Sequence, residues 1–297
     1  MSKVSIVGSN GYIARNLFYH LSQRDDIEQI TLYDCLDESV DKNEKYFKVN
    51  LLDRDDVKKI DFDCDIIFFM AGKTGTFSGF NNYADFISVN EFGLLNFIDE
   101  YRIQGSKAKI IFPSTRLVYK GSDIPVSEDS PIELKTIYAV NKFACENYLK
   151  QYSQIFGIKY CVFRICVPYG TRIQGASSYG TVEFMTKQAV NDRRITLYGD
   201  GSIRRTWTHI DDLCCAMICG AYSDKCLNDI YNIGGDDLSL KDVANMICRE
   251  YHAELKYVPW PDQALCIESG STVFDASKFA AATGFKYMHH FQKWGEG

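Results

Sequence analysis

The sequence predicts an α/β fold, a doubly wound parallel sheet with a smaller C-terminal domain beside it. Three observations predict it. Val4-Ser-Ile-Val7 and Asp65-Ile-Ile-Phe-Phe-Met70 have the near-continuous hydrophobicity of strands buried on both faces, the mark of a parallel sheet. Such runs alternate with longer stretches of helical period, as βαβ units do. A glycine-rich turn, Gly8-Ser-Asn-Gly11-Tyr-Ile-Ala14, joins the first strand to the first helix.

At 297 residues, 46% hydrophobic and 24% charged, the chain has the composition of an ordinary globular protein with room for one large or two modest domains. A net charge of -6 with scattered basic residues leaves no cationic stripe for a phosphate backbone, so nucleic acid is not an expected partner. No apolar run approaches the roughly 20 residues that cross a bilayer. Met1-Ser-Lys-Val-Ser-Ile6 leads straight into a strand instead of a signal peptide, so a cytoplasmic location and no membrane partner are expected. The eleven cysteines, Cys214 and Cys215 adjacent among them, lack paired ligand spacing and read as small buried hydrophobes. No metal is expected, and His289-His290 reads as a surface pair.

Along the chain, Val4 to Val7 is the first strand, and the helix after the glycine turn runs to about Arg24. Glycines let the backbone approach a pyrophosphate closely, and the helix amino terminus adds free N–H groups and a partial positive charge. Ala14 supplies a small residue for helix to sheet packing. A second strand, Gln29 to Tyr33, ends in Asp34, which is either a solvated loop acid or a carboxylate for the adenosine ribose hydroxyls. In the second role its charge repels a 2′-phosphate and favours NAD over NADP. A strand from about Tyr46 to Val49 is followed by Asn50-Leu51 and a short helix from Asp53. After the Asp65 to Met70 strand comes Ala71-Gly72-Lys73, with Lys73 either in a cleft or solvated. Asn82 to Tyr101 keeps helical spacing through Phe86, Val89, Gly93, Leu94, Phe97, Ile98 and Tyr101.

Lys109 to Pro113 is the next strand, and Ser114-Thr115 at its carboxyl end places hydroxyls where open α/β sheets put their ligands. Further on, Tyr138-Ala-Val-Asn-Lys142 sets a phenol and an ammonium four apart on one helical face. One charge about 4 Å from a phenol at an effective dielectric of about 20 favours the phenolate by roughly 4 kcal/mol before desolvation. The pairing is therefore expected to lower the tyrosine's pKa from about 10. A bare Tyr/Lys pair also occurs on surface helices; here a strand end, two hydroxyls and a glycine turn frame it. Lys159 to Ile165 is a further buried strand, followed by Pro168-Tyr-Gly170. Gly180 to Asn191 reads as a helix, Thr206 to Tyr222 as a strand and helix returning to the sheet, and Ser239 to Tyr251 as a helix beyond the Ile233-Gly-Gly235 turn.

The glycine turn, Ser114-Thr-Arg-Leu-Val-Tyr119, Tyr138 with Lys142, and Gly199-Asp-Gly-Ser-Ile-Arg-Arg205 followed by His209-Ile-Asp-Asp212 together make a specific pattern. In it the chain resembles the extended short-chain dehydrogenases/reductases, the NAD-dependent epimerase/dehydratase family acting on nucleotide sugars. The resemblance implies a Rossmann-type NAD-binding domain, residues 1–169 plus about 206–235, interleaved with a substrate-binding domain of residues 170–205 and 236–297. It implies NAD contacts from Gly8, Asn10, Gly11, Tyr12, Ile13, Asp34, Asn50, Leu51, Ala71, Gly72, Lys73, Asn90, Tyr138, Lys142 and Pro168. Implied substrate contacts are Thr74, Thr115, Arg116, Val182, Leu197 and Arg205, the last on the diphosphate, where a guanidinium fork meets two oxygens at once. A homodimer through the 82–101 helix and the Tyr138 helix is implied as well, as is a place in polysaccharide biosynthesis.

On this resemblance Tyr138 is the acid/base, Lys142 lowers its pKa and holds the nicotinamide ribose, Thr115 hydrogen-bonds the reacting hydroxyl, and Ser114 supports it. Family members that eliminate water or decarboxylate carry acidic residues directly after the hydroxyl pair, where this chain has Arg116 and Leu117. That leaves an epimerase or a simple ketoreductase or dehydrogenase, and the NAD preference read from Asp34, which suits a redox-neutral cycle, turns the expectation to epimerisation at C4 of a nucleotide-diphosphate hexose. The alternatives are an NAD(P)-dependent 4-keto-deoxysugar reductase or sugar-nucleotide dehydrogenase and, outside enzymes, a cofactor-bound regulatory protein. Val167 stands where sugar epimerases often carry an asparagine, a departure that bears on the substrate.

Overall fold

Burial on both faces decides the architecture. The computed structural model of the chain describes residues 1–176 and 180–293; the remaining residues of the second expected domain, 177–179 and 294–297, lie outside the described residues. β1 (Ser2–Val7) turns into α1 (Tyr12–Ser22), followed by β2 (Ile27–Asp34), β3 (Tyr46–Lys48), β4 (Ile66–Phe69), α2 (Gly93–Ile103), β5 (Lys109–Thr115), α3 (Ile137–Phe156) and β6 (Lys159–Ile165). Then come β7 (Val167–Tyr169), α4 (Thr181–Asp192), β8 (Arg194–Tyr198), β9 (Arg204–His209), α5 (Ile210–Tyr222), β10 (Asp229–Asn232), β11 (Asp236–Ser239), α6 (Leu240–Tyr251) and β12 (Glu254–Val258).

Seven strands form one sheet in the order β10, β6, β5, β4, β1, β2, β3, with every pair parallel. All of β4 and β5 is buried, as their apolar runs require. Along β1, Val4 and Ile6 join Leu17 and Leu213 on one face, while Val7 joins Phe97, Phe112 and Leu149 on the other. The strand order reverses between β1 and β4, so a crevice opens beyond their carboxyl ends.

The second lobe is built on β11, β9 and β7 in one small sheet and β12 with β8 in another. Its core gathers Val182, Met185, Leu197, Trp207, Val243 and Ile247. Ser239 starts α6 with a reciprocal capping box to Asp242, which fixes that helix's entry.

Three expectations are corrected. The 82–101 helix is interrupted, because a π-helical turn at Ser88–Phe92 separates a short helix, Tyr83–Ile87, from α2. Such turns cluster at functional positions, and this one carries Asn90. The 206–222 segment does not return to the main sheet as a strand. Trp207 buries its ring in the second lobe's core, which holds β9 between β7 and β11; only α5, packed on α1, and β10 go back. Finally, Cys35, Cys215 and Cys266 are exposed: they fall on a loop and on outward helical positions with no core to fill. Among the described residues no helix is long and apolar enough to cross a membrane.

Candidate active site

The crevice at the reversal point is a cleft of about 280 Å³ lined by eight of the expected cofactor contacts, namely Gly8, Gly11, Asp34, Asn50, Leu51, Ala71, Gly72 and Lys73. Val7, Cys35, Val49, Leu52, Met70 and Val89 line it too, which the sequence did not single out; most adjoin the singled-out segments. At Gly8 the geometry allows no side chain, since its φ is +83° and a Cβ would lie 2.4 Å from the Ala71 backbone nitrogen. Gly11 caps α1 without a side-chain bond, leaving the first-turn N–H groups open to an anion. The Asp34 carboxylate accepts the Asn10 N–H at 3.0 Å and the Leu36 N–H at 3.3 Å, which holds it at the mouth of the turn. These three features fit a dinucleotide.

Asn10, Tyr12 and Ile13 serve the turn's surroundings. The Asn10 side chain accepts from Val40 N and donates to Glu38 O and Tyr46 Oη, shaping the loop after β2. Tyr12 Oη donates to Gly170 O at 2.5 Å, a tie between the lobes, and Ile13 packs on the core. Asn90, 3% exposed, clamps the turn after β4 by accepting Lys73 N at 2.7 Å and donating to Lys73 O at 3.1 Å. The Lys73 ammonium itself pairs with Asp85 in solvent, and Thr74 beside it is exposed.

Lys142 connects this cleft to the hydroxyls of β5. Its Nζ is buried, donates to Pro113 O at 2.8 Å and lies 4.4 Å from the Phe112 ring centroid. A Cβ built on Gly72 would lie 3.7 Å from the same nitrogen. Burial lowers its pKa to about 8. The Tyr138 ring centroid is 6.0 Å from Nζ, and burial pushes its phenol above the ordinary value. This reverses the lowering expected from the spacing: with the ammonium bonded to a carbonyl, nothing offsets the desolvation of a phenolate.

The two hydroxyls of β5 divide their work. Thr115 Oγ1 accepts the Leu117 N–H at 3.2 Å, so its own proton remains for another acceptor. Ser114 instead donates to Glu146, which forms a buried 2.6 Å ion pair with Arg164. Arg164 lies 4.7 Å over the Tyr119 ring, whose Oη donates to Asn232, so Ser114 belongs to a brace behind the site. Glu146 escaped the sequence reading, although an acid four residues after Lys142 on a buried helical face was the available signal.

The far end of the site departs most from expectation. Arg205, expected to reach a diphosphate, is 2% exposed and donates to Glu268 at 2.6 Å and to the Gly270 and Arg204 carbonyls. Burial first, and the nearby Arg116 second, push its pKa down to about 10. Val182 and Leu197, expected at the substrate, are 6% and 4% exposed because α4 and β8 bury them in the second lobe's core. Val167 is buried likewise, and Pro168 beside it is partly exposed. His289 is no lone surface residue: it stacks on His209 at 4.4 Å, and with Asp211 the two make the one group of metal-ligand type among the described residues. Both Asp211 oxygens are taken, by His20 at 2.9 Å and Arg172 at 2.7 Å, and the Arg172 charge opposes a metal ion there.

The model of the NAD dependent epimerase/dehydratase family matches residues 4–234. The UDP-N-acetyl-alpha-D-glucosaminuronate decarboxylase of Bacillus cytotoxicus is 26% identical over 270 residues, 86% of this chain and 82% of that one. GDP-mannose 3,5-epimerase of Arabidopsis thaliana is 25% identical over 285 residues, 88% of this chain and 72% of that one. The crystal structure of the Thermus thermophilus UDP-glucose 4-epimerase with NAD superposes with a TM-score of 0.85 at 23% identity, covering 98% of this chain and 95% of that chain.

Proposed function

The chain belongs to the NAD-dependent epimerase/dehydratase family, and within it we propose that it inverts C4 of a nucleotide-diphosphate hexose while retaining NAD. One observation carries the reading. The buried ammonium of Lys142 stands beside the Gly72 turn of the cofactor cleft and bonds Pro113 O, directly before the β5 hydroxyls. Cofactor and alcohol chemistry thus share one centre. Family members that eliminate water or decarboxylate are expected, on the resemblance, to carry acidic residues after the hydroxyl pair, and here the Arg116 cation and the buried Leu117 stand there.

NAD, when bound, supplies the hydride acceptor. Tyr138 Oη takes the proton of the sugar hydroxyl as the alcohol becomes a ketone, and gives it back when the ketone is reduced from the other face. Thr115 donates to the same oxygen in both halves, with its orientation held by the Leu117 N–H. Lys142 supplies the charge that favours the phenolate once it leaves Pro113 O for the phenol and the ribose. Asp34, at the end of β2, favours a ribose without a 2′-phosphate. The exposed Ile103, Val140, Ile155 and Phe156 on α2 and α3, with Phe92 just before α2, support a homodimer through those helices, which sedimentation equilibrium tests.

The deciding assay incubates the protein with sugar nucleotides and no added cofactor. An epimerase interconverts two C4 diastereomers with no net change in reduced-nicotinamide absorbance. Stoichiometric use of added NADH or NAD+ would replace this reading with a 4-ketoreductase or sugar-nucleotide dehydrogenase. Val167 favours that second reading, because a buried apolar side chain offers the substrate no hydrogen bond.

A further inference from the structure

Two guanidinium groups meet at the boundary between the lobes, and only one of them is paired with a carboxylate. Arg205 arrives from β9 and takes Glu268 at 2.6 Å; the same carboxylate oxygen also accepts the Gly270 N–H at 2.9 Å. Arg116 arrives from the end of β5 and meets the same C-terminal segment two residues further on, donating to Thr272 Oγ1 at 3.3 Å. Among the described residues Arg116 forms no ion pair, and Arg205's pKa is pushed down in part by it. Five N–H donors on a planar fork are therefore left with one long neutral hydrogen bond. The group is partly exposed, so a ligand can reach it. This end of the site holds one positive charge more than its own acids balance, and the surplus sits on Arg116.

The position of the surplus says what it reads. Arg116 follows Thr115 directly, and consecutive Cα atoms are about 3.8 Å apart, so an arginine side chain is long enough for its fork to reach the neighbour of the carbon whose hydroxyl Thr115 is proposed to hold. A diphosphate lies at the other end of a sugar nucleotide from C4. The carbon next to C4 carries the C6 substituent. A carboxylate there matches a guanidinium's two parallel N–H groups. We propose that Arg116 binds a C6 carboxylate, and that the substrate is a nucleotide-linked hexuronate; this rests on the alcohol chemistry proposed at Thr115 and Tyr138.

Calorimetric titration of the NAD-loaded protein with UDP-glucuronate and with UDP-glucose tests the inference without needing turnover. The acid should bind about 10- to 100-fold tighter than the neutral sugar, the range of a charge-assisted hydrogen-bond pair. Arg116→Met should bring that ratio towards one, and Arg116→Lys should keep part of it, because a point charge lacks the fork. Titration with NAD reports that each variant is folded. Equal or tighter binding of the neutral sugar, binding of neither, or a ratio that survives Arg116→Met overturns the proposal. The proposed reaction is read separately: tight, Arg116-dependent binding of the acid without C4 inversion would leave this inference standing and remove the epimerase.

Discussion

The two ends of the cleft are made in different ways. At the cofactor end the cleft is shaped by backbone: a Gly8 with no room for a Cβ, the uncapped start of α1, and a turn after β4 clamped by Asn90. One carboxylate, Asp34, adds the charge preference. At the far end, where the substrate is proposed to lie, side chains meet across long separations, 63 positions for the Arg205–Glu268 ion pair and 156 for the Arg116–Thr272 hydrogen bond. Some of their charges neutralise each other. Backbone recognition can be read from a short motif, whereas charge recognition depends on which partner the fold brings to which side chain.

The largest effect should come where the two ends meet. Tyr138→Phe removes only the hydroxyl proposed to carry the proton, so turnover should fall by about 10²- to 10⁴-fold, the usual contribution of general acid/base catalysis. NAD and sugar nucleotide should still bind, as calorimetry can show. A variant with near wild-type turnover would mean that the tyrosine is not the proton carrier.

Next in size is the charge pairing that closes the substrate end. Glu268→Gln leaves a nearly fully buried Arg205 without its counter-charge, which should lower stability by roughly 3 kcal/mol. Urea unfolding measures this directly. If the two ends are separately built, the folded variant should bind NAD as the wild type does; a matching loss of NAD affinity would break the comparison.

The same contrast explains what the sequence disclosed. Val4-Ser-Ile-Val7, the glycine turn and the all-apolar β4 announce themselves because neighbours a few residues apart carry the signal, and they became the sheet, the reversal point and the cleft. Tyr138 and Lys142 were legible as a pair. Their electrostatics were not, since burial and the Pro113 carbonyl act from outside the helix. Val182 and Leu197 were expected at the substrate, yet apolar residues on α4 and β8 go where the second lobe's core needs them. Glu268 gave no local sign at all, because its meaning lies in Arg205 on a different strand.

Lys142 offers a smaller effect, with its sign fixed by burial. Its pKa in the folded protein is about 8 against an ordinary 10.5, so below about pH 8 both folded and unfolded chains carry the proton and the burial penalty is complete. Between about 8 and 10.5 the folded chain releases it first, and stability is regained as pH rises. Against Lys142→Met, the wild-type protein without cofactor should therefore gain about 2–3 kcal/mol between these limits. Parallel stability curves for the two proteins would show that the ammonium is not held in a desolvated place between the ends.

The smallest expected effect isolates the single charge at the cofactor end. Asp34→Asn keeps one oxygen, which can hold the shorter bond from the Asn10 N–H, and gives up the 3.3 Å bond from Leu36, so most of the turn should survive while the negative charge goes. If backbone shape supplies the affinity and the carboxylate only the discrimination, the variant should keep most of its affinity for NAD. The ratio of NADP to NAD dissociation constants should then drop by about tenfold, equivalent to about 1.4 kcal/mol. Titration of both dinucleotides into both proteins reads the ratio directly. Should wild type bind NADP as tightly as NAD, or should the ratio not move, Asp34 would be a turn-forming residue and the preference for NAD would have to come from elsewhere in the cleft. Should NAD affinity itself collapse, the cofactor end would depend on side-chain charge as much as the substrate end does.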